Sequence, residues 1–353
     1  MPRTAKATAL SAAITASSAE FPAKAVSPLS EAAQRLASAA LAPRTIATYR
    51  AALTSLDSWL AEQGREPNDV AIADYLAERH EAGLAPETIA LTVAAVKTAA
   101  KLVGHPAPVG EQTFRVLAGI RREGRGRGRG QVRGLQWSEA DTVAAVAANS
   151  DGKLAGLRDA ALVALTSDCL LRMSEAVAAQ VADLEAEADG SGRLTVHRSK
   201  TDQEGEGAVL FVGESTMRRI TTWRDAGGIH DGPLFRRIRC NGVVLAEAIT
   251  DRAARAIIQA RAAEAGIEGR VSGHSLRIGS AQSLAAAGAG LVEMQVAGRW
   301  QSPSMPGRYA RSQLAARGAV ARLRHGPGSQ GDILCGICLR EACDCRTSPR
   351  ECA

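Results

Sequence analysis

The stretch SGHSLRIGSAQSL, residues 272–284, sets a histidine and an arginine three positions apart at the start of a helix. Ser272-Gly273 precedes the helix and His274 falls at its first residues. Arg277 lies on the same face, because helix positions three apart stack one above the other. Both side chains then point at one ligand, and the helix N-terminus adds a field that favours an anion. The helix is expected to run from His274 to Ala287. Taken alone, the segment is a capping histidine beside an exposed arginine. Its weight comes from what lies on either side.

Upstream, LLRMSEAV (170–177) carries Arg172 at a helix start, with Glu175 three residues on. At that spacing the acid can hold a neighbouring backbone or side-chain group, although R-x-x-E by itself reads as a surface ion pair. VHRSKTDQEGEG (196–207) places Lys200 at a strand-to-turn junction, where a flexible ammonium can reach into a groove and protonate a leaving oxygen. Downstream, AGRWQSPS (297–304) contains Trp300, whose indole N–H can donate to a phosphate oxygen or whose ring can plug a core. PGRYARS (306–312) contains Tyr309. Tyr49 and Tyr75 fall on helical stripes and read as core residues. Tyr309 sits in SMPGRYARSQL, a Pro- and Gly-containing stretch unsuited to deep packing. Two arginines, a lysine, a histidine and one late tyrosine are what cutting a DNA phosphodiester with a tyrosine nucleophile requires.

Composition is compatible with that chemistry. With 353 residues the chain is long enough for two domains, each with a core. Hydrophobic residues make up 46%, much of it alanine, and aromatics only 3%, so helices packed through small side chains are expected. The formal net charge of +6 is carried mainly by arginine, which grips phosphate through two parallel hydrogen bonds. A GC-rich genome inflates both arginine and alanine, so charge alone decides little. No apolar run reaches the length of about 18 residues that a membrane span needs. Residues 1–26, rich in Ala, Ser and Thr, lack the compact apolar stretch of a secretory signal and are expected to form a disordered tail on a cytoplasmic protein.

Residues 27–120 are helical in pattern. Ile46, Tyr49, Leu53, Leu56 and Leu60 form one stripe at spacings of three and four, and further helices cover NDVAIADYLAERHEAG and APETIALTVAAVKTAAKLVG. Pro43 and Pro86 sit just inside helix starts, while Gly64, Gly83 and Gly104 end helices. Arg44, Arg50, Lys97 and Lys101 are candidate phosphate contacts on this bundle. RREGRGRGRGQVRG (121–134) reads as a flexible cationic linker, in which Arg125, Arg127 and Arg129 can lie along DNA. A second domain, 135–326, starts near Trp137-Ser138-Glu139, a helix N-cap. It continues through a buried helix LRDAALVALTSDCL, a helix SEAVAAQVADL, strands RLTVHRS and AVLFVG, and helices at Glu214–Ala226, Ala246–Ala265, His274–Ala287, Leu291–Ala297 and about Gln313–Leu323. Cys169 and Cys240 read as buried small hydrophobes. Five of the seven cysteines crowd into the 327–353 tail. There Cys335, Cys338, Cys343 and Cys345 are weak metal-ligand candidates, because C-x-C suits a closed tetrahedral site poorly.

The ordered set resembles the tyrosine recombinases (phage integrase family), with motifs spanning roughly residues 160–315. That family's signature runs arginine, lysine, H-x-x-R, histidine or tryptophan, then tyrosine. Arg172, Lys200, His274, Arg277, Trp300 and Tyr309 fill those places in order. DCLLRMSEA lacks the glycine that many integrases place before the arginine, and Trp300 stands where most relatives have histidine. The Gly-Arg stretch is longer than usual, and the cysteine tail has no counterpart.

The resemblance implies a mainly α (α+β) fold: an N-terminal helical core-binding domain, then a mostly helical catalytic domain with a small antiparallel sheet. It also implies site-specific recombination of double-stranded DNA at inverted-repeat sites by a homotetramer, without a cofactor and away from membranes. Tyr309 would form a 3′-phosphotyrosyl link. Arg172, Arg277 and Trp300 would stabilise the phosphorane, with Glu175 in support. His274 would accept or orient a proton, and Lys200 would protonate the 5′ oxygen. Three alternatives stay open on residues alone: a type IB topoisomerase that relaxes DNA, a DNA-binding protein of recombinase origin that no longer cuts, and a helical transcription regulator, which leaves Tyr309 unexplained.

Overall fold

Proline at the first position of a helix forfeits a backbone donor that has no partner there anyway, and the chain uses this twice. Pro43 opens α1 (Pro43–Glu62) and Pro86 opens α3 (Pro86–Leu102). Between them α2 (Asp69–Glu81) is capped by Asn68, whose side chain accepts the Ala71 N–H at 3.0 Å. Gly64, Gly83 and Gly104 reverse the chain after these helices at φ 59°, 84° and 70°. The computed structural model describes residues 40–321 except 103, 129, 151–152, 198–206 and 319. It divides after Gly130 into two units, each treated in turn.

The described residues of the first unit form a bundle of four helices, completed by α4 (Glu111–Glu123). Its core joins Leu53, Leu56 and Leu60 to Ile72, Leu76, Ile89, Val93, Val96, Leu117 and Ile120. Tyr75 is buried beside Trp59 in an edge-to-face pair, whereas Tyr49 is only half-buried. Asp69 fastens α4. Its carboxylate accepts the Gly110, Gln112 and Thr113 N–H groups and the Thr113 hydroxyl at 2.6–3.0 Å. Those donors hold its pKa down to about 2.

The two units divide within the stretch 121–134, expected to be a flexible linker, and its two ends join the units on either side. α4 runs on to Glu123, and Arg127 donates to the His80 carbonyl at 2.8 Å. In the second unit, the Arg133 N–H bonds the Arg270 carbonyl and the Leu135 N–H bonds the Ser275 carbonyl.

In the second unit α5 (Trp137–Ala148) starts at the first residue of the expected cap segment Trp137-Ser138-Glu139. Gln136 takes the cap position, and its N–H bonds Glu139 at 3.1 Å. α6 (Lys153–Asp168) crosses the centre of the core through Ala160, Ala161, Leu162, Val163 and Leu165. After α7 (Met173–Ala178) the expected long helix through residue 184 stops. The chain bridges Gln180 to Pro233 and becomes β1 (Leu184–Ala186). β1 pairs antiparallel with β2 (Gly192–Val196), which pairs with β3 (Ala208–Val212). Leu184, Leu194 and Leu210 are in register on one face, and Glu185, Arg193 and Phe211 on the other.

α8 (Glu214–Gly227) leads to a second, two-stranded sheet of β4 (Arg236–Ile238) and β5 (Val244–Ala248). Here the expected helix from Ala246 is corrected. Ala246–Ala248 are strand, and α9 (Asp251–Glu264) starts only after Thr250, whose hydroxyl accepts the Ala253 N–H. Alanine fits either periodicity and left no signal for the switch. Cys240 is exposed near the turn between β4 and β5, contrary to expectation, while Cys169 is buried.

α10 (Ser275–Ala286) is buried along nearly its whole length, and α11 (Leu291–Gly298), α12 (Ser304–Tyr309) and α13 (Arg311–Ala316) pack around its C-terminal half. α13 ends at Ala316 and helix resumes at residues 320–321, while the expected end near Leu323 lies outside the described residues. Gly279 lets α10 lie against the incoming chain, since a Cβ there would collide with the Leu135 carbonyl. Among the described residues the fold is thus mostly helical with a small antiparallel sheet of three strands, as expected, and a further two-stranded pair. No helix among the described residues is long and apolar enough to cross a membrane. The 1–26 and 327–353 tails lie outside the described residues, as do Lys200, Arg129 and Cys335, Cys338, Cys343 and Cys345.

Candidate active site

Two tight turns bring the polar groups together, and both pass through residues in the left-handed region. Leu170 (φ 47°) ends α6 and turns the chain so that Arg172 caps α7. Arg299 (φ 52°) ends α11 and turns it so that Trp300 points inward. These are the two non-glycine residues with positive φ among the described residues. Such backbone strain is held only where surrounding contacts compensate for it.

Arg277, one turn into α10, lies between the two turns. It is 0% exposed. A buried guanidinium needs partners, and Arg277 donates Nη1 to the Leu170 carbonyl and Nη2 to the Gly298 carbonyl. Its plane lies over the Trp300 ring, 4.6 Å from the centroid. Burial, then Arg172 and Arg299, lower its pKa to about 9. Trp300 is buried and also sits 5.9 Å from the Tyr309 ring.

His274 caps α10, and its Nε2 lies 3.0 Å from the Tyr309 hydroxyl. Burial, helped by the positive charges of Arg277 and Arg172, lowers the His274 pKa to about 4, so the ring is neutral at physiological pH. Tyr309 ends α12 and is half-buried. Burial raises its pKa against the pull of Arg277, Arg308 and Arg172. The stretch read as unsuited to packing is therefore a short helix, with Pro306 buried and the Tyr309 carbonyl held by Gln282 Nε2 at 3.2 Å.

Glu175 completes the arrangement. It is nearly enclosed and accepts both the backbone N–H of Arg172 at 3.0 Å and its Nη1 at 2.7 Å. Burial raises its pKa, but Arg299 and then Arg172 outweigh that and leave it below the ordinary carboxylate value.

The structure therefore gathers Arg172, Glu175, His274, Arg277, Trp300 and Tyr309. Two further participants, Arg299 and Gln282, were not singled out from sequence. Arg299 is flanked by conspicuous residues but carries no pattern of its own. Gln282 lies two turns beyond His274, and only tertiary folding brings it to Tyr309. The collected cations suit an anion, and a neutral imidazole beside a phenol suits proton transfer. Among the described residues no cluster of His, Cys, Asp and Glu is arranged to hold a metal ion.

The candidate DNA-contact residues lie in the first unit. Arg44 and Arg50 are exposed on α1, and Lys97 and Lys101 on one face of α3. Lys97 rests over the Phe114 ring at 5.5 Å. Arg125 is exposed, and Arg127 is committed to His80 through one of its nitrogens.

Comparison with known proteins matches the model of the phage integrase family to residues 136–315. The model of the phage integrase N-terminal SAM-like domain matches residues 35–100. The chain is 28% identical over 277 residues to the recombinase cre of Escherichia phage P1, covering 73% of this chain and 79% of that protein. To tyrosine recombinase XerC of Xanthomonas campestris pv. campestris (strain B100) it is 31% identical over 241 residues, 66% of this chain and 67% of that one. Among solved structures, the XerH site-specific recombinase bound to palindromic difH substrate in a post-cleavage complex superposes with a TM-score of 0.63 at 14% identity, covering 79% of this chain and 80% of that one. At that identity the likeness is one of fold.

Proposed function

The chain belongs to the phage integrase family and is a tyrosine recombinase, and from that premise we propose that Tyr309 is its nucleophile, acting on a scissile phosphate of double-stranded DNA. The observation that carries this reading is the 3.0 Å approach of His274 to the Tyr309 hydroxyl beside the buried Arg277.

A phenol with an ordinary pKa of about 10 is a weak nucleophile at neutral pH. Burial raises Tyr309 further, so the phenolate does not accumulate and the proton must leave as the P–O bond forms. Neutral His274 accepts that proton on Nε2, in the tautomer that carries its own proton on Nδ1. The phosphorane gains negative charge. Arg172 and Arg277 answer it with preorganised guanidiniums, and Trp300 can add its indole N–H. The bond from phosphorus to the 5′ oxygen breaks, Lys200 protonates that oxygen, and a 3′-phosphotyrosyl link and a free 5′-hydroxyl result. Attack by a 5′-hydroxyl from a second duplex reverses the step, so strand exchange conserves bond energy and needs no ATP. The same reading assigns DNA contacts to Arg44, Arg50, Lys97, Lys101, Arg125, Arg127 and Arg129. It also assigns inverted-repeat sites and a synapse of four protomers in the cytoplasm of a bacterium.

The test starts from duplexes that the protein retains in a random-library selection, rebuilt with a nick beside the candidate cleavage point to trap the covalent product. Wild type in EDTA is expected to give an adduct on a denaturing gel, and Tyr309→Phe to bind without one. Tight binding by both with no adduct would leave a DNA-binding protein that does not cut. Relaxation of supercoiled DNA lacking the selected sequence would instead point to topoisomerase action.

A further inference from the structure

Among the described residues Glu175 is the carboxylate that the guanidiniums of the site share, and Arg172 is only one of its partners. Arg299 donates Nη2 to Glu175 Oε2 at 2.7 Å, and Nη1 to the Cys169 carbonyl at 3.3 Å. Glu175 lies in the first turn of α7 and Cys169 in the α6–α7 turn, the two pieces of chain that flank Arg172. The Arg299 side chain is 12% exposed, and its Nε is buried without a hydrogen-bond partner among the described residues. Its backbone is left-handed at φ 52°, a conformation that a residue with a Cβ adopts only under compensation. On its N-terminal side, the Gly298 carbonyl accepts from Arg277. On its C-terminal side, Trp300 lies against Arg277. Arg299 therefore fastens the corner after α11 to the turn before α7, with Arg277 enclosed between them.

The charges give this fastening a chemical consequence. A carboxylate facing Arg172 alone would largely cancel its charge and compete with a phosphate for its donors. A second guanidinium on the same carboxylate divides that attraction. Among the described residues two arginines then share one acid, with Arg277 bonded to backbone carbonyls beside them, and positive charge stays in excess there. Glu175 accepts the Arg172 N–H as well as its Nη1, so holding the carboxylate in place also fixes the root and the tip of that side chain.

We propose that Arg299 is a positioning residue for DNA cleavage: it shares Glu175 with Arg172, and so keeps the Arg172 guanidinium both correctly aimed and electrostatically available to the scissile phosphate. This rests on the reading of the site given under Proposed function. Arg299 acts through its neighbours and does not itself touch the phosphate.

The experiment measures single-turnover cleavage of the nicked selected duplex, alongside duplex affinity by gel shift and thermal unfolding. The variants are Arg299→Gly, Arg299→Gln, Arg299→Lys, Glu175→Gln and the double variant Glu175→Gln/Arg299→Gly. Glycine tolerates φ 52°, so Arg299→Gly is expected to fold and to bind the duplex as wild type does. Its cleavage rate is expected to fall by about 10²-fold, the scale of a misplacement of about 1 Å in an active site. Arg299→Gln, which keeps length without charge, should fall as far, and Arg299→Lys should recover about tenfold of the loss. In the Glu175→Gln background, removing Arg299 should change the rate little further, because the two act as one unit. Wild-type cleavage by Arg299→Gly overturns the proposal. So does a loss that simply adds to that of Glu175→Gln, or one that tracks lost affinity or lost folding. Failure of the wild type itself to form an adduct through Tyr309 would overturn the underlying site reading instead, and the wild-type lane shows which has failed.

Discussion

His274 and Tyr309, 35 residues apart in the chain, meet at 3.0 Å between imidazole Nε2 and phenol oxygen. The imidazole has its pKa lowered to about 4 by burial and by the charges of Arg277 and Arg172. Two pH effects are expected. The unfolded histidine titrates near 6.5 and the folded one near 4, so between those values the unfolded chain binds more protons. The stabilising contribution of neutral His274 is thus complete above about pH 6.5, is lost as the pH falls toward 4, and is absent below that. A thermal unfolding series over this range should fall more steeply for wild type than for His274→Gln. If the ring accepts the tyrosine proton, the acid limb of cleavage should lie near pH 4 and not near 6.5.

Arg277 supports two strained turns at once, so its removal should be felt in stability as well as in cleavage. Arg277→Met fills much of the space but leaves the Leu170 and Gly298 carbonyls buried without donors. Each such loss costs about 1–3 kcal/mol, and a total of about 3 kcal/mol is expected by urea unfolding. Arg277→Lys places one ammonium where two divergent donors are needed, and should recover only part of that.

At Leu170 two effects oppose each other. Leu170→Gly removes about 1–2 kcal/mol of left-handed backbone strain. It also deletes a side chain packed against Ala281, Ala285, Met294, Trp300 and Ala310, a loss of about 3–5 kcal/mol by analogy with leucine-to-alanine changes. Packing wins, and a net destabilisation of about 2 kcal/mol is expected. A stabilised Leu170→Gly would show that the leucine contributes little to this cluster.

In the first unit, Asp69 ties the start of α4 to α2 with its pKa lowered to about 2, chiefly by the Thr113 hydroxyl and then by backbone donors. A depressed carboxyl stabilises above its unfolded value of about 4, and the contribution is lost as the pH falls through 2. Asp69→Asn should weaken the bundle at neutral pH and flatten its acid transition over that window. Hydrogen exchange at Gly110, Gln112 and Thr113 is the direct readout.

Much of this fold is legible without coordinates where long periodic helices are bounded by strong punctuation. Pro43, Pro86, Gly64, Gly83 and Gly104 act through local backbone geometry, and the structure places helix ends at each. Reading failed where alanine dominates. At 178–184 and 246–248, small side chains satisfy both helical and extended periods, and pairing with distant strands made the choice. Cys240 shows the same limit at a single residue, since its exposure depends on neighbours far along the chain.

The sequence by itself determined the element types with strong local signals, and the ordered succession of Arg172, His274, Arg277, Trp300 and Tyr309 that marks the family. Both are properties of residue type and spacing. Tertiary structure alone decided that Arg277 is buried between two left-handed turns, that Glu175 serves two guanidiniums, and that Arg299 and Gln282 belong beside the set. Each depends on donors and acceptors brought together across 21 to 124 residues of chain, and no local preference encodes such contacts.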